Sequence, residues 1–337
     1  MSANSRIALV QNRTTPTCDG LRTDPFTDDF SMKDALLSIE RKVDWYVGLL
    51  DRAGAQQCDL VVLSEDFTAT GPLSQYLDDR ALFPQAVDLQ TALIPERLGE
   101  TAKRNSMYVV ACYYAVENGI IYNVADLLGR DGGLVGRYRK VHLPQYEKWT
   151  VAAGDAFPAF ETDIGWIGML ICYDQQWPES AACCTMNGAQ LICVPSVATS
   201  SECRNCCRAL DNVVHYIYCT SANSMIASPR AEVLAHARQQ DPGIVWADVD
   251  LAEASKPQPH YMETLFSGIL DHKERHLKFR RPDAYSSLVA DRPPLADQYP
   301  EGGVAETPEA IGEVYEALKD MRERQNRGES LPYHWNW

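Results

Sequence analysis

The chain has no uninterrupted apolar run approaching the ~20 residues that span a bilayer, so a transmembrane reading is excluded. Its opening residues alternate apolar with polar and charged side chains and contain no apolar core of a secretory leader, so a cytoplasmic protein is expected. Basic charge is in short supply, with 31 Lys and Arg against 46 Asp and Glu and a formal net charge of -15. A field of that sign repels phosphate backbones and anionic lipid surfaces, so neither nucleic acid nor membrane is an expected partner. No internal repeat is visible. Cysteine, by contrast, is abundant at eleven, but the number is odd and the chain has 337 residues. Disulfide frameworks belong mainly to short secreted chains, so free thiols in a reducing compartment are expected. Cys203-Arg-Asn-Cys206-Cys207 contains a single C-x-x-C. A zinc site is strongly signalled by two such pairs, and thiols packing a helix are the simpler reading. No metal and no organic cofactor is expected.

With 45% hydrophobic and 23% charged residues, the chain has ample material for a core. Short β-branched apolar runs predict buried strands at 7–10, 60–63, 108–114, 166–172, 190–194 and 216–220. Helical spacing predicts helices over 33–53, 92–104, 177–187 and 202–216, with Asn187-Gly188 as a stop. Between them, 119–131, Gly132-Gly133 and 134–142 predict a β-hairpin. Strands alternating with helices at both ends, interrupted by hairpins, argue for stacked sheets with helices outside. Residues 291–307 are rich in Pro, Gly and acid and read as a linker. Thr307-Pro308 then opens a helix with an apolar stripe of Ile311, Val314, Tyr315, Leu318 and Met321. Two parts follow: a domain over 1–290, and a linker and helix over 291–337 that dock on that domain or on a partner subunit.

Three predicted strand ends each deliver a reactive side chain: Glu65 after Leu60-Val-Val-Leu-Ser, Lys140 after Val135-Gly-Arg-Tyr-Arg, and Cys172 after Trp166-Ile-Gly-Met-Leu-Ile. By spacing alone the pattern is only suggestive. The local phrases are more specific. Gly136-Arg-Tyr-Arg-Lys-Val-His-Leu-Pro144 followed by Glu147 resembles the lysine motif of the nitrilase superfamily, the carbon–nitrogen hydrolases. Gly168-Met-Leu-Ile-Cys-Tyr-Asp174, then Trp177-Pro-Glu179, resembles its cysteine motif, and Leu63-Ser-Glu65 its glutamate motif. Later segments, Ile244 to Leu251 and Arg280 to Tyr285, also resemble the family, so the likeness covers roughly residues 5 to 288.

The resemblance implies an α/β fold, a four-layer αββα sandwich, here with a C-terminal helical extension. It implies a Glu65–Lys140–Cys172 triad and a second pocket glutamate, Glu147. Its chemistry is attack of the Cys172 thiol on an amide-type carbonyl, with Glu65 taking the proton and a thioester intermediate. Lys140 and the Tyr173 backbone N–H face the developing oxyanion. The expected partners are a small-molecule substrate and, as in relatives, further copies in a homodimer or higher homo-oligomer. Tyr173-Asp174 resembles the amidase and carbamoylase branches, so an amide or N-carbamoyl compound is expected, with a nitrile as the alternative.

Each residue also has a plainer reading. Cys172 as a buried small hydrophobe is outweighed by its flanking Tyr173-Asp174 and Pro178-Glu179. Asp66 competes with Glu65 for the role of working acid. Arg137, Arg139 and His142 surround Lys140, and a solvated basic strand is its plainer reading. His142 is taken as a structural neighbour, placed by Lys-Val-His alternation on the strand face of Lys140. Asp174 and Glu179 are expected to fix the cysteine turn and the following helix. The family's arginine after Pro-Glu is absent from Ser180-Ala-Ala-Cys-Cys184, which leaves substrate and dimer geometry open. A non-catalytic binding protein on the same fold is a competing hypothesis that the intact triad argues against. A metal protein built on Cys203, Cys206 and Cys207 is the other.

Overall fold

The computed structural model describes residues 4–11, 20–23, 29–71, 82–144, 147–238, 243–255, 272–290 and 293, together with Glu316, Asp320, Arg324 and Arg327. The chain divides into two compact units, Met1–Lys256 and Pro257–Trp337. The sequence reading sets the division at 290/291 instead, so the segment Arg280 to Tyr285 falls in the second unit rather than the first.

The first unit holds two six-stranded sheets. In one, β1 (Asn4–Gln11), β2 (Leu60–Val62) and β3 (Tyr108–Glu117) are parallel. On one side β4 (Ile120–Leu128) and β5 (Leu134–Arg139) continue it as antiparallel hairpins, and on the other β12 (Gly243–Asp250) pairs antiparallel with β1. In the second sheet, β7 (Gly165–Met169), β8 (Leu191–Pro195) and β9 (His215–Cys219) are parallel. They are flanked by β6 (Ala159–Thr162) on one side and by β10 (Ser224–Ala227) and β11 (Val233–Ala237) on the other.

The apolar runs follow from burial on both faces of each sheet. Along β1, Ile7 and Leu9 join Met169, Cys193 and Ile217 between the sheets. Ala8 and Val10 point the other way and pack with Val43, Leu50, Ile94 and Leu98 of α1 (Met32–Ala55) and α2 (Leu82–Asn105). On the far side α3 (Pro178–Met186) and α4 (Glu202–Asn212) contribute Ala181, Cys184 and Ala209 to the core of the second sheet. A Cβ on Gly168 would sit 3.0 Å from the Cys184 Cβ and 3.1 Å from that of Ala189, so the glycine lets α3 lie close on β7. The result is the expected four-layer αββα sandwich.

Local chemistry sets the boundaries. Ser31 caps α1, its hydroxyl accepting the Asp34 N–H, and Ser201 caps α4 through the Arg204 N–H. Asn118 and Gly119 both have positive φ, 51° and 79°, the requirement of a tight two-residue hairpin between β3 and β4. α2 starts at Leu82 rather than near 92, because Pro84 lies in the first turn, where a missing N–H costs nothing. The helix expected over 202–216 stops at Asn212: Val213 turns left-handed (φ 53°, ψ 52°), and Tyr216 belongs to β9. Among the described residues no helix is long and apolar enough to cross a membrane.

In the second unit, α5 (His272–Lys278) is followed by two single 3-10 turns, Pro282–Ala284 and Ser286–Leu288. The linker and helix expected beyond 291 lie almost wholly outside the described residues, of which Glu316, Asp320 and Arg324 are helical.

Candidate active site

Glu65, Lys140 and Cys172 each sit just beyond a strand, after β2, β5 and β7 respectively. The strand expected to run to Cys172 ends at Met169, and Cys172 opens a 3-10 helix, Cys172–Gln176. The Leu170 N–H donates to the Cys193 carbonyl at 3.0 Å, which keeps the departing chain beside β8. Cys172 then adopts φ +44°, a left-handed conformation that is strained for a residue with a side chain.

Asp174 holds this turn in place. Its carboxylate accepts the Ile171 N–H at 2.9 Å, the Tyr138 hydroxyl at 2.7 Å and the His142 N–H at 2.9 Å. The His142 Nδ1 lies 2.9 Å from the same carboxylate, and the imidazole stacks on Trp177 with ring centres 4.0 Å apart. The turn bearing Cys172 is thereby tied to the chain two residues past Lys140. His142 is structural, as expected, but β5 has already ended at Arg139, so strand alternation is not what places it.

Lys140 is separated from its basic neighbours. Arg137 pairs with Asp126 and Glu117, and Arg139 with Glu117. Lys140 alone turns inward and is 2% exposed. Its ammonium donates to Glu65 Oε1 at 2.8 Å and to Glu147 Oε2 at 2.7 Å. The Asn123 amide bridges the same two carboxylates, donating to Glu65 Oε1 at 2.9 Å and to Glu147 Oε1 at 2.6 Å. The Tyr114 hydroxyl donates to Glu147 Oε1 at 3.3 Å, and the Val197 N–H to Glu65 Oε2 at 2.9 Å. Burial works against the Lys140 charge, yet Glu65, Glu147 and the nearby Cys172 outweigh it and hold the ammonium well above its ordinary pKa. Burial, with the neighbouring Glu65 charge, raises Glu147 despite Lys140.

The thiol stands in a different environment. Burial first, then the Glu65 charge, pushes Cys172 up to about 12, while Lys140 and hydrogen bonds from the Ser196 hydroxyl and the Ala198 N–H pull it down. At neutral pH it is a thiol and needs a base beside it to become a nucleophile. Glu65 Oε2 accepts one N–H in a position that can accept a second proton.

Asp66, the competing carboxylate, is otherwise engaged: Oδ1 accepts the Thr70 N–H at 2.9 Å and Oδ2 the Gly71 N–H at 2.7 Å. Tyr173 is exposed, and its N–H belongs to the first turn of the 3-10 helix, where backbone donors have no partner within the helix. Glu179 is exposed on α3. Of the segments expected to shape the pocket, Pro72, Gln145 and Tyr146 lie outside the described residues. The ten described cysteines are all free. Cys203, Cys206 and Cys207 share α4, and no group of three or more His, Cys, Asp or Glu among the described residues is arranged to hold a metal.

Asn123, Tyr114, Ser196 and the Val197 N–H were not anticipated from the sequence. Asn123 did carry a signal: an amide inside the apolar run Ile120-Ile-Tyr-Asn-Val-Ala is buried in a core and needs partners there.

An ammonium between two carboxylates, beside a buried thiol on a strained turn, can deprotonate the thiol and stabilise negative charge forming on a carbonyl oxygen. Comparison with known proteins agrees with this geometry. The carbon-nitrogen hydrolase family model matches residues 6–256. A nitrilase of Pyrococcus abyssi is 31% identical over 216 residues, covering 60% of this chain and 81% of that protein. The human omega-amidase is 29% identical over 201 residues, covering 52% of this chain and 72% of that one. The crystal structure of a carbon-nitrogen hydrolase from Helicobacter pylori superposes with a TM-score of 0.67 at 20% identity, covering 86% of this chain and 99% of that one.

Proposed function

The chain belongs to the carbon–nitrogen hydrolase family, within the nitrilase superfamily, and from that premise we propose that it hydrolyses a small amide or N-carbamoyl compound through a thioester on Cys172. The observation that carries this reading is the Lys140 ammonium held between Glu65 and Glu147 beside the thiol. The Cys172 sulfur attacks the substrate carbonyl carbon while its proton passes to Glu65. The carbonyl oxygen becomes negative and is met by Lys140 and the Tyr173 N–H. The tetrahedral adduct collapses, the carbon–nitrogen bond breaks, and Glu65 returns its proton to the departing ammonia or amine. Water then attacks the thioester, giving its proton to Glu65. The sulfur leaves and regains that proton, and the acid product is released. Glu147 and Asn123 hold Lys140 and Glu65 in register, and every proton is carried by a side chain of this chain. The same reading has the protein working as a reduced, cytoplasmic homo-oligomer.

Tyr173-Asp174 after the nucleophile supports the amide and N-carbamoyl classes. The similarity to a protein named nitrilase keeps nitrile hydrolysis as the second reading. An ammonia-release screen across ω-amides, N-carbamoyl amino acids, carbamoyl amines and simple nitriles separates them. The expected result is turnover of an amide or carbamoyl compound that vanishes in Cys172→Ala and, in the active protein, an acyl adduct on Cys172 by mass spectrometry. Ammonia release that survives in Cys172→Ala would overturn the assignment of the nucleophile.

A further inference from the structure

The Ser196 hydroxyl lies beneath the sulfur and has no part in the steps above. β7 and β8 are parallel with Met169 opposite Cys193. Continued three residues, that register brings Ser196 opposite Cys172. Ser196 is wholly buried, and its N–H donates to the Cys219 carbonyl of β9 at 2.8 Å, so its place is fixed by two strands. Its hydroxyl donates to the Ala198 carbonyl at 2.8 Å and accepts the Tyr218 hydroxyl at 2.8 Å. Tyr218, itself buried on β9, also reaches the Ala198 carbonyl, and its oxygen accepts the Gln175 amide at 3.3 Å. One residue on, the Val197 N–H holds Glu65. The segment Ser196-Val-Ala198 therefore touches the nucleophile and its base at once.

Resting on the hydrolase reading above, we propose that Ser196 is a catalytic hydrogen-bond donor to the Cys172 thiolate, and that Tyr218 is a positioning residue that frees the Ser196 proton for that task. Two hydroxyl protons serve three acceptors: the Ala198 carbonyl, the Ser196 oxygen and the Cys172 sulfur. While Cys172 is a thiol, Ser196 donates to the Ala198 carbonyl and Tyr218 donates to Ser196. When the proton of Cys172 passes to Glu65, Ser196 rotates to donate to the sulfur and Tyr218 swings to the Ala198 carbonyl. Each state has two hydroxyl hydrogen bonds, and the carbonyl keeps a donor in both. The thiolate gains a donor with no buried group left unpaired, which is the loss that makes burial of a new charge expensive. The hydrogen bond that Ser196 makes to the sulfur acts in this direction, against the upward push of burial. The same switch serves the second half of the reaction, in which the thiolate is the leaving group.

The test is the rate of Cys172 alkylation by iodoacetamide against pH in the full chain, with the modified residue located by peptide mass. Wild type, Ser196→Ala and Tyr218→Phe are compared, the last removing one hydroxyl at nearly constant volume. In Ser196→Ala the alkylation midpoint is expected to rise by about one pH unit, so that at any pH below it Cys172 reacts about tenfold more slowly, with the same limiting rate at high pH. Tyr218→Phe is expected to move the midpoint in the same direction by less. Profiles that superimpose on wild type, or that fall by one factor at every pH including the plateau, overturn the proposal while leaving the hydrolase reading intact. A Cys172 that reacts no faster than the other cysteines in the wild-type protein overturns the hydrolase reading, and this inference with it.

Discussion

The two sheets bring opposite kinds of chemistry to one place. The first delivers charge: Glu65 beyond β2 and Lys140 beyond β5, with Asn123 on β4 and Glu147 in the 3-10 turn that follows. The second delivers the neutral Cys172 beyond β7 and Ser196 beyond β8, backed by Tyr218 on β9. The charged side is self-compensated, since each buried carboxylate oxygen of Glu65 and Glu147 meets at least one donor. The sulfur side is not, and burial holds the thiol up near 12. Ionic groups in a core are stable only as a set, whereas a thiol is stable there alone and becomes unstable when it ionises. The first half of the site therefore serves the fold and the reaction together, while the second serves the reaction and costs the fold little.

Lys140→Met gives the largest separation of the two halves. Without the ammonium, Glu65 and Glu147 face each other in a core, and loss of one partner from a buried ionic cluster costs about 3–5 kcal/mol. Urea unfolding should register that loss, and turnover should fall by at least about a thousandfold, as when an oxyanion donor is removed. The variant should recover stability as pH falls, because protonating either glutamate relieves their repulsion. Cys172→Ala, by contrast, should abolish turnover and keep stability within about 1 kcal/mol of wild type. Equal losses of stability in the two variants would erase the distinction between the halves.

Asn123→Leu tests the charged half at its centre while keeping side-chain volume. It removes donors from both carboxylates, with an expected cost of about 2–3 kcal/mol in stability. Glu65 and Lys140 lose their common brace, so kcat/KM should fall about a hundredfold, carried mostly by kcat, as misplacement of a reacting group predicts. A variant that is destabilised but turns over normally would make Asn123 a packing residue only.

The charged half was also the more legible half in the sequence. Glu65, Lys140 and Glu147 lie within short local phrases, and strands flanked by turn residues predict where such phrases surface. The sandwich itself was readable from apolar runs long enough for two-sided burial, such as 108–114, and from the hairpin around Gly119. What escaped depends on contacts between distant strands. Ser196 follows Pro195 in a stretch that reads as an ordinary loop, and only the pairing of β7, β8 and β9 puts it against Cys172 and Tyr218. Asn123 became meaningful once β3, β4 and β5 aligned it with two carboxylates. The strand predicted through Cys172 failed for a local reason: Leu170 and Ile171 are as apolar as a strand, and the turn is imposed by Asp174 from three residues downstream. The helix predicted through Tyr216 failed in the same way, since nothing in Asp211-Asn-Val announces that Val213 turns left-handed.

Asp66 supplies the finest probe of the contrast, because it is a buried carboxylate beside Glu65 that no cation directly pairs. It sits at φ +45° and is held by backbone N–H groups of Thr70 and Gly71. Burial, only partly offset by those bonds, pushes it up to about 7. Folded Asp66 therefore binds its proton more tightly than the unfolded chain does. Its contribution to stability is complete below about pH 4, where both states are protonated, and is lost as pH rises through about 7. Between pH 5 and pH 7 that loss is about 2 kcal/mol. Asp66→Asn removes the titration and keeps one of the two backbone hydrogen bonds. Its urea midpoint should lie below wild type at pH 5 by the cost of the missing bond, and the gap should close as pH approaches 7. A gap that stays constant over that interval would mean Asp66 ionises as it does in water, and that the turn presenting Glu65 is set by the backbone rather than by a buried acid.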